Sequence, residues 1–175
     1  IKILLKRAEC HALDKSVQII GKEKPWEYRP MSRTLVLSSY QMTNQNLPIY
    51  IKKIRRLQPQ YFIGYPSAIT MLATYMKHHS IELKEMKAIF CFGETIYDWQ
   101  REFLEKFFEC RVHDQYGHRE QCVLAGTCEK SNSYHIFPDY GFVELIDRNG
   151  QQVIKDGQTG EIVGTGFHTG IFPFI

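Results

Sequence analysis

The feature that most constrains this chain is the stretch over residues 86–120. It opens on Met86-Lys87-Ala88-Ile89-Phe90-Cys91-Phe92, an apolar run of buried-strand length, and breaks at Gly93-Glu94-Thr95. Trp99, Phe103, Leu104 and Phe107 recur at helical spacing, which predicts a helix over residues 96–108 capped by Thr95 with Asp98 three residues on. Arg111-Val112-His113 reads as a second short strand, ending in the polar loop Asp114-Gln115-Tyr116-Gly117-His118-Arg119-Glu120. Strand, loop, helix, strand and loop form one right-handed unit of a parallel sheet. Ligands of such sheets sit outside the carboxyl ends of the strands, where both polar loops fall.

The same rhythm occurs just upstream. Residues 60–63 read as a buried strand, Gly64 and Tyr65 as its turn, and Pro66 as the start of a helix with Ile69, Leu72, Ala73 and Met76 inward. That strand is expected beside residues 87–92, so its loop emerges at the same edge as Gly93-Glu94. Further back, the pattern predicts a helix over residues 1–13, strands over 16–20 and 34–38, and irregular surface over 22–33. A helix capped by Asn46, with Pro48 in its first turn, should run to Pro59 with Ile51, Ile54 and Leu57 inward.

After Glu120 the periodicity changes, and residues 121–133 carry no assignable pattern. Residues 134–137 and 141–147 read as strands, Asn149-Gly150 as a hairpin turn with residues 152–154 returning, and residues 161–165 as a last strand. The fold class is α/β. A parallel sheet with flanking helices is expected over residues 1–133, followed by an antiparallel, β-rich section over residues 134–175.

Several function classes are excluded or disfavoured. A formal net charge of +3 over 175 residues is too small to imply nucleic acid. The one basic run, Lys52-Lys53 and Arg55-Arg56, alternates with Ile51, Ile54 and Leu57 as the wet face of a helix. No apolar run approaches the roughly 20 residues of a membrane span, so no membrane partner is expected. Five cysteines without framework spacing point to a reducing, cytoplasmic setting. Neither a Walker loop, nor a dinucleotide glycine fingerprint, nor a Gly-x-Ser-x-Gly elbow follows a predicted strand. An amino end without methionine and an apolar end at Phe174-Ile175 read as part of something longer.

Two groups of residues have the right chemistry for a site. Glu94 and Glu120 each follow a strand end, where backbone amides bind phosphates and a carboxylate can hold magnesium beside them. Tyr116, just before Gly117, can offer a flat face to a base. His118, Cys122, Cys128 and His135 have the donor types for zinc, at spacings of four, six and seven residues. The blander reading, loop histidines beside small buried thiols, is the one adopted for that second group.

The segments FIGYPSAI at 62–69, IFCFGETI at 89–96, DQYGHREQCVLAGTCEK at 114–130, YHIFPDYGFVELID at 134–147 and GQTGEIVGTGF at 157–167 go further. Together they resemble the adenylate-forming ligases, most closely the phenylacetate–coenzyme A ligase branch with its capsular polysaccharide relatives. The family pattern Tyr-Gly-x-Thr-Glu is matched by Tyr116, Gly117, His118, Arg119 and Glu120, with arginine where the family has threonine. The resemblance implies ATP-dependent activation of a small carboxylic acid to an acyl adenylate, then transfer to coenzyme A or another acceptor. It implies that Gly93, Glu94 and Thr95 line the adenine, with Tyr116 and Gly117 opposite, and that Glu120 holds magnesium. Arg119 takes the place of the hydroxyl that meets the α-phosphate, and Tyr65, Pro66 and His118 face the acyl pocket. It further implies the middle and later part of a large domain, inactive without the phosphate loop, the ribose-gripping Asp and Arg, and the small domain with its lysine. The alternative is a non-catalytic binding or structural module of the same fold, zinc-stabilised if the four-residue group binds metal.

Overall fold

The computed structural model describes residues 15–167, so the helix expected over residues 1–13 lies outside them. The chain divides after Asp114 into two compact units. The larger contains strands β1 (Ser16–Ile20), β2 (Trp26–Arg29), β3 (Thr34–Ser38), β4 (Tyr61–Gly64) and β5 (Ala88–Phe92), and the opening residues of β6 (Arg111–Gly117). Its helices are α1 (Leu47–Leu57), α2 (Pro66–His78) and α3 (Asp98–Phe108). The strand order is β2-β3-β1-β4-β5-β6, with β3, β1, β4 and β5 mutually parallel and β2 antiparallel on the edge.

The core follows from the apolar runs. Val17, Ile19, Leu37, Phe62 and Ile89 from the strands meet Ile54, Ile69, Leu72, Met76 and Leu104 from the helices, all fully buried. Phe62 packs edge-on against Phe108, with ring centroids 5.3 Å apart, a preferred aromatic geometry. Parallel strands covered by helices need near-continuous apolar sequence, and β3, β4 and β5 have it. The expected pairing of β4 beside β5 is present, in parallel register from Tyr61↔Ala88 to Gly64↔Cys91.

Several local details differ from the sequence expectations. Residues 26–29 are a strand, not irregular surface, because β2 pairs with β3 across a short turn despite the flanking Pro25 and Pro30. Asn46 occupies the N-cap position of α1, but its side chain donates to the Gln41 carbonyl instead of capping the helix. Helix α3 begins at Asp98, with Tyr97 at its N-cap in place of Thr95; the Gln100 side chain accepts from the Tyr97 amide. The buried side of α3 carries Gln100, Arg101, Leu104 and Phe108, while Trp99 stays 61% exposed. The buried Arg101 guanidinium is accommodated by donating to the Val112 carbonyl at 2.6 Å. Finally, Asp114 to Gly117 continue strand β6 instead of forming a loop. Backbone pairing, with Tyr116 opposite Ala125, overrides their polar composition.

The smaller unit is antiparallel. The end of β6 pairs with β7 (Leu124–Gly126), which pairs with β8 (His135–Ile136), and β9 (Gly141–Ile146) pairs with β10 (Glu161–Gly166). After β9, Asp147 accepts from the Gln151 and Asn149 amides and so fixes the expected turn. The predicted return over residues 152–154 shrinks to one bridge, Ile146↔Gln152, while β10 pairs with β9 along its whole length. Among the described residues no helix is long and apolar enough to cross a membrane. Cys91, Cys110, Cys122 and Cys128 are all free thiols.

Candidate functional site

Each unit carries one of the loops singled out by the sequence. In the larger unit, β3, β1, β4 and β5 run in one direction, so the segments after Ser38, Ile20, Gly64 and Phe92 emerge at a single edge. Tyr65 and Pro66 join β4 to α2 there, and Gly93, Glu94 and Thr95 follow β5. The two connections touch. The Tyr65 ring lies 5.5 Å from that of Phe92. A Cβ on Gly93 would sit 2.9 Å from the Tyr65 ring, and Gly93 has φ +77°, so both space and backbone demand glycine.

The Glu94 carboxylate is engaged with the start of α2. The Ser67 amide donates to Oε2 at 3.1 Å and the Ser67 hydroxyl to Oε1 at 2.9 Å. Tyr65 occupies the N-cap but makes no side-chain cap, and Pro66 has no amide to satisfy. Ser67 therefore presents the first free amide of the helix, and a carboxylate is well placed at that positive end. Composition and spacing pointed to Glu94 but not to Ser67, which lies 27 residues away and carries no local signal. Tyr40 follows β3. It stands exposed at the same edge, over Gly21, where a Cβ would come within 2.6 Å of its ring.

In the smaller unit, Tyr116 is 41% exposed near the end of β6, its ring 6.4 Å from Tyr134 and steeply inclined to it. Gly117 closes the strand, and a turn through His118, Arg119 and Glu120 follows, closed by the Gln121 amide on the His118 carbonyl. His118 Nδ1 is 3.0 Å from Glu120 Oε2. The Glu120 carboxyl is held below the ordinary carboxylate range, first by its own backbone amide and then by His118. It is therefore an exposed, ionised oxygen donor. One carboxylate beside phosphate oxygens suits magnesium, which keeps most of its waters.

The four zinc candidates separate. Cys128 Sγ lies 3.2 Å from His135 Nε2 and accepts from the Lys130 amide, but His118 is turned to Glu120. Cys122 is buried, its thiol on the Glu120 carbonyl. Among the described residues, no three His, Cys, Asp or Glu side chains are gathered to hold a metal ion.

Comparison with known proteins adds an independent line. The family model described as AMP-binding enzyme matches residues 32–170. Protein CapK of Staphylococcus aureus is 33% identical over 163 residues, covering 92% of this chain and 34% of that protein. The chain thus spans about a third of the length of this curated relative. Among solved structures, a 2-hydroxyisobutyryl-CoA ligase in complex with 2-HIB-AMP and CoA superposes with a TM-score of 0.67 at 15% identity, over 91% of this chain and 39% of that one. A benzoate CoA ligase from Burkholderia xenovorans LB400 gives 0.62 at 18% identity, over 93% and 36%. At these identities the likeness is one of fold.

Proposed function

The chain belongs to the family of AMP-binding enzymes, and from that premise we propose that the whole protein activates a small carboxylic acid with ATP. An oxygen of the acid attacks the α-phosphorus, the bond to the β-phosphate oxygen breaks, and acyl adenylate and pyrophosphate result. An acceptor thiol then attacks the acyl carbon and AMP leaves. Coenzyme A is the acceptor we favour, given that the structural neighbours are named as CoA ligases.

The observation that carries the reading is Glu120. The family pattern at residues 116–120 ends in a carboxylate that is exposed, ionised and set just past a strand end. In this reading Glu120 holds the magnesium ion that offsets charge on the phosphate oxygens. Arg119 meets the α-phosphate with a fixed cation in place of a hydroxyl. Tyr116 gives its ring face to the base, and Gly117 lets the nucleotide come close to the backbone. The Gly93-Glu94-Thr95 loop contributes the adenine contacts. Tyr65, Pro66 and His118 bound the acyl group, for which the ring of Tyr65 suits an aryl acid.

The experiment is carboxylate-dependent exchange of labelled pyrophosphate into ATP by the full-length protein, over a panel of aryl and acyl acids. The reading expects exchange with at least one of them. No exchange by folded protein across the panel, together with no AMP binding in a titration, would favour a non-catalytic module.

A further inference from the structure

The contact between Glu94 and Ser67 joins two connections that are adjacent at the sheet edge but far apart in sequence. Both Glu94 oxygens are used, one on the amide and one on the hydroxyl of the same residue. A two-point contact fixes orientation as well as distance, which a single bond does not. It also supplies the cap that the start of α2 lacks, because Tyr65 makes no side-chain cap and Pro66 has no amide to offer. A separate apolar contact ties the same two connections, through the Tyr65 ring lying on Phe92 and against Gly93.

The rest of the loop needs such support. Gly93 has a positive φ, Thr95 is exposed and caps no helix, and α3 starts only at Asp98. Residues 93–97 thus make a run between β5 and α3 without helix or strand pairing; the Glu94 side chain anchors its start, as the Gln100 contact on the Tyr97 amide anchors its end. A loop held this way presents its backbone in one conformation before ligand arrives, which removes an ordering cost from binding.

We infer that Ser67 is a positioning residue: with Glu94 it clips the loop after β5 to the start of α2 and so presets that loop for the nucleotide. This rests on the adenylation reading for the identity of the ligand, while the clip itself does not. It also divides the work of Glu94, whose backbone is the part left for the proposed adenine contact and whose carboxylate is spent on Ser67.

The test uses the full-length protein with Ser67→Ala, Glu94→Gln, Glu94→Ala and the Ser67→Ala/Glu94→Ala double variant. Hydrogen exchange at the amides of residues 93–97 reports the clip without any activity. Exchange there should quicken by about tenfold in Ser67→Ala, on the scale of a lost charge-assisted hydrogen bond. In pyrophosphate exchange the KM for ATP should rise by about threefold to tenfold while kcat changes less, and the double variant should be no worse than Glu94→Ala. Glu94→Gln, which can still accept from the amide and meet the hydroxyl, should recover most of the loss. Unchanged amide exchange in Ser67→Ala would overturn the clip. A lowered melting temperature with unchanged KM, or additive effects in the double variant, would overturn the positioning role. Wild-type protein that catalyses no pyrophosphate exchange would sink the adenylation reading alone, since the amide measurement still decides the clip.

Discussion

His118 Nδ1 and Glu120 Oε2 lie 3.0 Å apart in the turn that follows β6. The pair is exposed, so its value lies in ionisation more than in stability. The Glu120 carboxyl has its pKa lowered from 4.5, mainly by its own amide and secondarily by His118. A depressed carboxyl favours the folded state above its unfolded pKa, and that contribution disappears as pH falls through the folded value. A carbon-detected titration should therefore place Glu120 below 4.5. In His118→Ala it should move up, yet stay below that reference because the amide remains. A native value at or above the reference would contradict the geometry.

Two thiols, Cys91 buried and Cys110 half-buried, give a prediction at the other end of the pH scale. Burial pushes both Cys91 and Cys110 up to about 12, with the Asp114 charge adding to the effect at Cys91 and Glu105 at Cys110. In the unfolded chain a thiol ionises near 9. Stability from these groups is thus complete below that pH and falls as pH rises toward the folded value. Iodoacetamide at pH 8 should label Cys128 in native protein and leave Cys91 unlabelled until denaturant is added. Prompt native labelling of Cys91 would show the β5 core to be open.

Gly141 is a steric requirement. A Cβ there would lie 2.0 Å from the Cys122 carbonyl oxygen and 2.9 Å from that of Thr165. Both neighbours are backbone, which cannot turn aside as a side chain can. Gly141→Ala should destabilise the smaller unit by about 1–3 kcal/mol or more, read from denaturant midpoints, with the β9–β10 pairing the first to loosen. A shift below about 0.5 kcal/mol, the range of an ordinary surface change, would mean that β9 lies farther from residue 122.

Much of this architecture is written locally. The strand over residues 34–38 and the helix begun by Pro66 announce themselves because apolar periodicity and a first-turn proline act within one element. The parallel order was legible because the strand, glycine, helix rhythm repeats. What was not legible depends on pairing across distance. Trp26 to Arg29 became a strand through β3, and Asp114 to Gly117 extended β6 through β7, although neither segment is apolar. The inward face of α3 is chosen by what it packs on, with Gln100, Arg101, Leu104 and Phe108 buried, so Trp99 faces water. At the site, residue types named Glu94 and Glu120 as carboxylates of interest. That Ser67 and His118 are their partners came only with the fold, since a hydrogen bond is set by position and not by composition.

The most direct test of the account is Glu120→Gln in the full-length protein, with melting temperature and ATP–pyrophosphate exchange measured on the same sample. Glutamine keeps the volume and can still meet His118, but it lacks the charge that attracts magnesium. Stability should move by less than about 0.5 kcal/mol, because the residue is exposed. Exchange should fall by roughly a hundredfold or more, the scale of losing an oriented electrostatic partner of the transition state. Raised magnesium should restore part of that loss. A variant that melts normally and exchanges pyrophosphate at the wild-type rate would contradict the role assigned to Glu120.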